Sequence, residues 1–148
     1  MNNSPPDDLD HTALMQLWVL RAMQPDRIRK IFVRKEGFRD DDVARFLDLH
    51  DWIDQESGKF DQKQILLEMD EALARLEANP PAIPRACRRN CEMLSSKIGL
   101  NTSELSLLHL LALFSGTGIL RDLFLVANIT TQRDNIMLFS RMLEIPQR

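Results

Sequence analysis

This sequence has few of the residues, and none of the motifs, on which most enzymes and secreted domains depend. Only five of its 148 residues are glycine and two are cysteine. Its start, MNNSPPDDLDH, is polar and acidic, so it is not a signal peptide. We therefore expect a cytoplasmic protein whose cysteines are reduced thiols. No repeat, low-complexity run or long strand pattern is present, and helical periodicity predicts an all-α fold.

The sequence also has no uninterrupted run of apolar residues that is long enough to span a membrane. Residues 105–127 are dense in Leu, Phe, Val and Ile, but Ser115-Gly116-Thr117-Gly118 interrupts them, and Arg121 and Asp122 follow. A spanning helix needs about 20 consecutive apolar residues, and central charges are costly there. We expect two buried helices joined by a turn, and no membrane partner.

Nucleotide-binding and hydrolytic motifs are absent. A P-loop needs a glycine-rich loop followed by Lys and Ser or Thr. Ser57-Gly58-Lys59 has no upstream glycine and continues with Phe60, and Gly116-Thr117-Gly118 has no lysine, so both are interpreted as turns. Neither GxSxG nor HExxH occurs. We expect no catalytic residue, no cofactor and no ATPase activity in this chain.

Two groups of side chains could form a metal site, but each group also has a simpler structural interpretation. Cys87 and Cys91 are four residues apart, and with His109 they offer three of the four ligands that a structural zinc needs. The simpler interpretation is that the thiols pack in the core and His109 is a hydrogen-bonded core or interface residue. Asp40-Asp41-Asp42 could bind a cation, but acidic residues also complement the dipole of a helix N-terminus. We prefer the structural interpretation of both and predict no metal.

The overall composition is that of an ordinary globular protein. Apolar residues make up 44% and charged residues 28%, with a net charge of −3. This length fits one domain, or two small helical lobes that share a core. We predict a flexible tail at 1–7, an N-terminal lobe at 8–79 and a C-terminal lobe at 82–146, separated by Asn79-Pro80-Pro81.

Capping residues and apolar spacing predict the individual helices. The first begins near Asp8 or Asp10 and ends at Met23, and residues 26–39 fit either a helix or an extended piece. Further helices are predicted from Asp40 to Leu47, after Asp61, from Pro84 to Ile98, from Asn101 to Phe114, over 118–127 and over 131–143. Residues 105–114 should form the central buried helix of the second lobe. The last three helices could form a helix-turn-helix or winged-helix-like core.

One local excess of positive charge is present. It consists of Arg27, Arg29, Lys30, Arg34, Lys35 and Arg39, and we call it the basic stretch. It could contact nucleic acid or an acidic partner. The alternative is a solvated segment whose charges are met by the acidic residues just after it, and the negative net charge favours that alternative.

Several stretches together resemble a known family. They are LWVLR at 17–21, RKEGFRDDDVA at 34–44, RNCEML at 89–94, IGLNTSE at 98–104, LLHLLA at 107–112 and MLEIP at 142–146. These look like the N-terminal, non-ATPase region of bacterial AAA-family ATPases, in which a helical region precedes the ATPase core. The resemblance covers most of residues 14–146, but the family's nucleotide-binding motifs match nothing in this sequence. A piece of a longer ATPase and a free-standing relative both fit it.

The resemblance implies a helical interaction or regulatory module that recognises a protein partner or serves an ATPase core. The second hypothesis is a small nucleic-acid-binding protein built on residues 101–143 and the basic stretch. An enzyme is the third, because it would need a pocket without any sequence signature. The oligomeric state is not determined by the sequence.

Overall fold

The computed structural model describes residues 11–56 and 58–146, and this part of the chain is all-α, as predicted. Its helices are α1 (His11–Ala22), α2 (Asp26–Phe32), α3 (Asp41–Phe46), α4 (Gln62–Ala78), α5 (Arg85–Ile98), α6 (Thr102–Phe114), α7 (Ile119–Val126) and α8 (Gln132–Leu143). A short 3₁₀ turn covers His50–Trp52. The described residues contain no strand, only one isolated bridge between Val33 and Phe38. The predicted tail at 1–7 and the start of the first helix lie outside them.

Helix α1 is the centre of the core. Its buried residues are Leu14, Met15, Leu17, Trp18, Val19, Leu20 and Ala22. It packs against α4, α6 and α8, and the Trp18 ring lies 6.1 Å from the ring of Phe114. A helix that is apolar nearly all round has to be covered on all sides, and three neighbours cover this one. Residues 105–114 were predicted to be the central buried helix of the second lobe; α6 buries His109, Leu110 and Phe114, and α1 is the more deeply buried helix.

Residues 26–39 combine both predicted alternatives. They form α2 and then a tight turn, in which the Arg34 amide donates to the Gly37 carbonyl at 2.9 Å and the Arg39 amide donates to Phe32 at 2.8 Å. The Asp40 side chain then accepts from the Val43 amide at 3.0 Å and caps α3. The predicted cap is thus confirmed, and both short helices pack against α7.

One arginine ties three helices together. Arg21, near the end of α1, donates to both carboxylate oxygens of Glu77 on α4, at 2.7 and 2.9 Å. It also donates to the Met142 carbonyl at 3.0 Å and lies 3.3 Å from Glu144. Because planar bidentate pairs fix geometry as well as charge, Arg21 sets how α1, α4 and α8 meet.

Helices α5 and α6 form a hairpin with predictable ends. Pro84 is the N-cap of α5, and Gly99 ends it in the left-handed conformation at φ 73°. Asn101 and Glu104 form the predicted capping box, with hydrogen bonds of 2.9 and 2.8 Å. The Gly99 and Asn101 ends satisfy backbone groups that the helices leave open, whereas Pro84 supplies no side-chain cap. Within the hairpin α5 packs on α6.

The core crosses the predicted lobe boundary at Asn79. One hydrophobic cluster includes residues of α1 and α4 from before it and of α6, α7 and α8 from after it. The division into two lobes stays a prediction. No single described helix is long and apolar enough to cross a membrane. Only α6 and α7 together have the necessary length and composition, and they are bent by 108° at the break between them.

Candidate functional site

An open apolar groove lies between α6 and α8. Its cavity has a volume of about 260 Å³. The lining residues are Ser103, Glu104 and Leu107 from α6, Gln132, Asn135, Ile136, Phe139, Ser140 and Leu143 from α8, and Ile145 after it. The floor and walls are mostly aliphatic and aromatic carbon, with polar groups at the rim. Its lining is more apolar than that of three other concave surfaces on the described part of the chain.

Helix α8 forms this groove because it carries two apolar stripes. Leu138 and Met142 are fully buried and face the core. A second stripe of Ile136, Phe139 and Leu143 lies on a different side and lines the groove, and Ile136 is 55% exposed. The Phe139 ring packs edge-on against Phe124 at 5.7 Å, which fixes one wall. Phe139 and Leu143 are half-buried and pack against the core, so Ile136 is the exposed member of this stripe and the fold leaves the stripe only partly open.

One polar atom in the groove has no partner. The Asn135 Oδ1 is buried and accepts no hydrogen bond within the described residues. The Glu104 carboxylate at the rim is already occupied, since it accepts from the Asn101 amide. A buried acceptor without a donor costs free energy. Because this atom has almost no accessible surface, the groove offers a partner its apolar lining and not this acceptor.

More apolar surface lies open on the α5–α6 hairpin. Met93, Leu94 and Ile98 of α5 and Leu111 of α6 are all exposed, with Ile98 at 61%. The apolar side of α5 is thus covered only in its first part, where Cys91 is buried and Cys87 is half-buried. Isolated exposed apolar residues are ordinary on protein surfaces. Four on one hairpin, beside an apolar groove, extend the surface available to a partner.

The two cysteines are core-type thiols. Their Sγ atoms lie 4.0 Å apart. Burial is the main cause that raises the pKa of Cys87 to about 11, and the neighbouring Cys91 adds to it. The Cys87 thiol therefore stays protonated near neutral pH and is a poor nucleophile and a poor metal ligand. With His109 they do not form a group of three potential ligand atoms within 4.8 Å of one another.

His109 is buried, as predicted, but the expected hydrogen bond is missing at one ring nitrogen. Its Nε2 has no partner among the described residues. Burial lowers the pKa of His109, Glu92 opposes that change, and Arg88 adds to it. Both of these charged residues are on α5. The imidazole is therefore a neutral packing residue at the contact between α5 and α6.

Three carboxylates meet where α3 packs on α7. Asp40, Asp42 and Asp122 place ligand oxygens within 4.8 Å of one another, which is a spacing that a hard cation such as Mg²⁺ accepts. Each carboxylate already has a structural partner: Asp40 caps α3, Asp42 pairs with Arg45 at 3.1 Å, and Asp122 pairs with Arg121 at 3.3 Å. The sequence predicted the helix-terminal role of residues 40–42 but not the approach of Asp122, which comes from a distant helix.

The basic stretch lies largely on the surface. Its exposed members are Arg27, Lys30, Arg34, Lys35 and Arg39. Arg29 is half-buried, pairs with Asp70 on α4 and donates to the Met23 carbonyl. No ion pair joins the stretch to Asp40–Asp42 in the described ranges. The expectation that the acids just after the stretch neutralise it is therefore wrong, and its one acidic partner comes from α4.

The remaining motif fragments are turns or surface residues. Gly58 and Gly116 have φ of 85° and 82°, a left-handed conformation that suits glycine in turns. Ser57 lies outside the described residues. His50 and Asp51 are 3.4 Å apart, and both are largely exposed, so nothing orients them as a catalytic pair.

Comparison of the chain with family models, curated proteins and solved structures found no match. The resemblance to the N-terminal regions of AAA-family ATPases therefore rests on the sequence stretches alone.

Proposed function

We propose that this chain is a helical protein-interaction module, and that the groove between α6 and α8 receives an amphipathic helix of a partner protein. The observation that carries this proposal is the groove-facing stripe of α8, which the chain's own core covers only in part: Ile136 is exposed, while Phe139 and Leu143 are half-buried. Grooves of this kind bind helices that present apolar residues at positions i, i+3, i+4 and i+7.

The family resemblance suggests the kind of molecular system in which this interaction module works. A helical region that precedes an ATPase core is suited to recognise a substrate or to regulate assembly. We therefore propose that the partner is an AAA-type ATPase core, or a protein delivered to one. The chain itself supplies binding and no chemistry.

A pair of substitutions tests the groove. Ile136 lies on the groove wall, and Leu125, which is 63% exposed on α7, does not line it. A photo-crosslinker at position 136 identifies the contacting partner segment, which is then synthesised as a peptide and titrated by calorimetry. We expect Ile136→Ser to weaken peptide binding by roughly tenfold or more, because it removes an apolar anchor. Leu125→Ser should leave binding unchanged.

The outcome that contradicts the proposal is equally specific. Peptide binding that is equally strong in Ile136→Ser and in the wild type would place the contact elsewhere. Gentle purification that recovers no ATPase, protease or adaptor with the wild-type chain would argue against the ATPase system, while leaving the groove itself open to another partner.

The second candidate is nucleic-acid binding, which the exposed basic stretch favours. The chain bends by 108° between α6 and α7, and this angle lies within the range of about 90–120° that is typical of a helix-turn-helix. The second helix of such a motif should read bases, but the one basic residue of α7, Arg121, pairs with Asp122. A gel shift at low salt tests this candidate, since phosphate contacts are strongest there. Absence of a shift removes it.

A further inference from the structure

Helix α5 combines positive charge with little cover from the core. Its one acid is Glu92, and its four basic residues are Arg85, Arg88, Arg89 and Lys97. All five side chains are exposed. The helix therefore has a net charge of +3, whereas the whole chain has −3. Among the α-helices of the described ranges, it also has the fewest buried residues.

The second half of α5 presents one surface on which charged and apolar side chains are neighbours. We call it the α5 face, and its exposed members are Arg89, Met93, Leu94, Lys97 and Ile98. Residues three or four positions apart are neighbours on a helix. Met93 therefore lies between Arg89 and Lys97, and Leu94 lies beside both Lys97 and Ile98. The two charges thus flank apolar side chains that this chain leaves in contact with water.

The charges of the α5 face have no acidic partner within residues 11–56 and 58–146. Arg89 and Lys97 form no ion pair and no side-chain hydrogen bond there. Both groups are well solvated, so they do not need a partner for stability. A carboxylate that approaches them beside apolar side chains gains electrostatic attraction in addition to hydrophobic burial. The α5 face therefore suits an occupant that is both acidic and apolar.

Two other occupants fit the α5 face less well. A single-stranded nucleic acid stacks its bases on aromatic side chains, and α5 contains no aromatic residue. A helix that lies in a membrane surface presents Trp, Phe or Leu on its apolar side, and Leu94 is the one residue of these types in α5. The negative charge of the whole chain also opposes its approach to an anionic membrane.

We propose that the α5 face binds an acidic amphipathic helix of a partner protein. Arg89 and Lys97 are eight positions apart, which corresponds to about 12 Å along the helix axis. The partner helix should carry two carboxylates at the same separation, with apolar side chains between them that cover Met93 and Leu94. No residue of α5 lines the groove between α6 and α8. The proposal therefore does not depend on the function proposed for that groove.

Two synthetic helical peptides of equal length test this contact on the whole chain. Both carry leucines at positions i, i+3, i+4 and i+7. One has two glutamates eight positions apart that flank the leucines, and the other has lysines at the same two positions. Fluorescence anisotropy measures the binding of each labelled peptide at low salt. We expect the glutamate peptide to bind, the lysine peptide not to bind, and the affinity to fall as salt is added.

Reversal of charge locates the contact. Arg89→Glu and Lys97→Glu should each weaken binding of the glutamate peptide by roughly tenfold, because attraction becomes repulsion. The double variant should bind the lysine peptide instead. The controls are Lys63→Glu, at an exposed lysine of α4, and the groove variant Ile136→Ser. Both should bind the glutamate peptide as the wild type does. If circular dichroism shows that Lys97→Glu unfolds, Arg89→Glu decides the test.

Three results would overturn the proposal. The first is that neither peptide binds the wild type at low salt. The second is that a control variant weakens binding as much as Arg89→Glu does; with Ile136→Ser, that result would place the peptide in the groove. The third comes from vesicles of phosphatidylserine and phosphatidylcholine titrated in parallel. If the vesicles bind with the expected variant pattern and the glutamate peptide does not bind, the α5 face is a membrane contact.

Discussion

Two helices of this protein have similar compositions and different surroundings. Helices α1 and α6 are both apolar nearly all round, and α6 contains six leucines. Seven residues of α1 are buried, whereas His109, Leu110 and Phe114 are the buried residues of α6. Composition alone would rank α6 as the more deeply buried helix. The comparison shows that burial of a helix depends on how many neighbours the fold places around it.

The neighbours explain the difference. Helix α1 has α4, α6 and α8 around it. On one side, α6 is covered only by α5, and Cys91 is the one buried residue of that helix. On the side of α8, it borders the open groove. An apolar helix with incomplete cover is a common feature of interaction surfaces. The proposed function rests on this asymmetry, and the following predictions test it in order of expected effect.

The largest effect is expected from one substitution made in both helices. Leu17 on α1 is 1% exposed and Leu111 on α6 is 43% exposed. Leu17→Ala should lower the free energy of unfolding by about 2–5 kcal/mol, because it leaves a cavity in the core. Leu111→Ala should cost about 1 kcal/mol or less, because its side chain is already half in water. Urea denaturation measures both, and equal losses would mean that α6 is as well covered as α1.

An intermediate effect is expected at the hairpin turn. Asn101→Ala removes the side-chain acceptor for the Glu104 amide and should lower the free energy of unfolding by about 1 kcal/mol. Hydrogen exchange should speed up in α5 and α6 more than in α1, since local opening starts in the less buried elements. Asn101→Ser, which keeps a capping oxygen, is the control. Uniform acceleration across α1 and α6 would contradict a separately opening hairpin.

The smallest effect is a dependence on pH. The pKa of His109 is lowered in the folded state from its usual 6.5, so the unfolded chain binds a proton more readily. The contribution of His109 to the free energy of unfolding is therefore fully present above pH 6.5 and is lost as the pH falls below that value. Urea denaturation at pH 7.5 and 5.5 should show this loss in the wild type and a smaller one in His109→Gln. An unchanged loss in that variant would assign the pH dependence to other groups.

The sequence alone predicted the helix ends well. Asp40, Asp61, Asn101 and Thr131 all accept from a backbone amide three residues on, as their types and positions indicated. Gly99 is left-handed at the end of α5. Such ends depend on hydrogen bonds within a few residues, which a sequence displays directly. The all-α class was predicted from helical periodicity, which is also a local pattern of the sequence.

Tertiary structure decided which apolar faces are covered and which charges meet. Nothing in residues 131–143 shows that Leu138 and Met142 face the core while Ile136, Phe139 and Leu143 line a groove. The approach of Asp122 to Asp40 joins positions far apart in the chain. Local periodicity shows that a helix has an apolar face, but only the packing of distant helices determines whether that face is filled. The candidate groove of this protein therefore lies where long-range packing left an apolar face only partly covered.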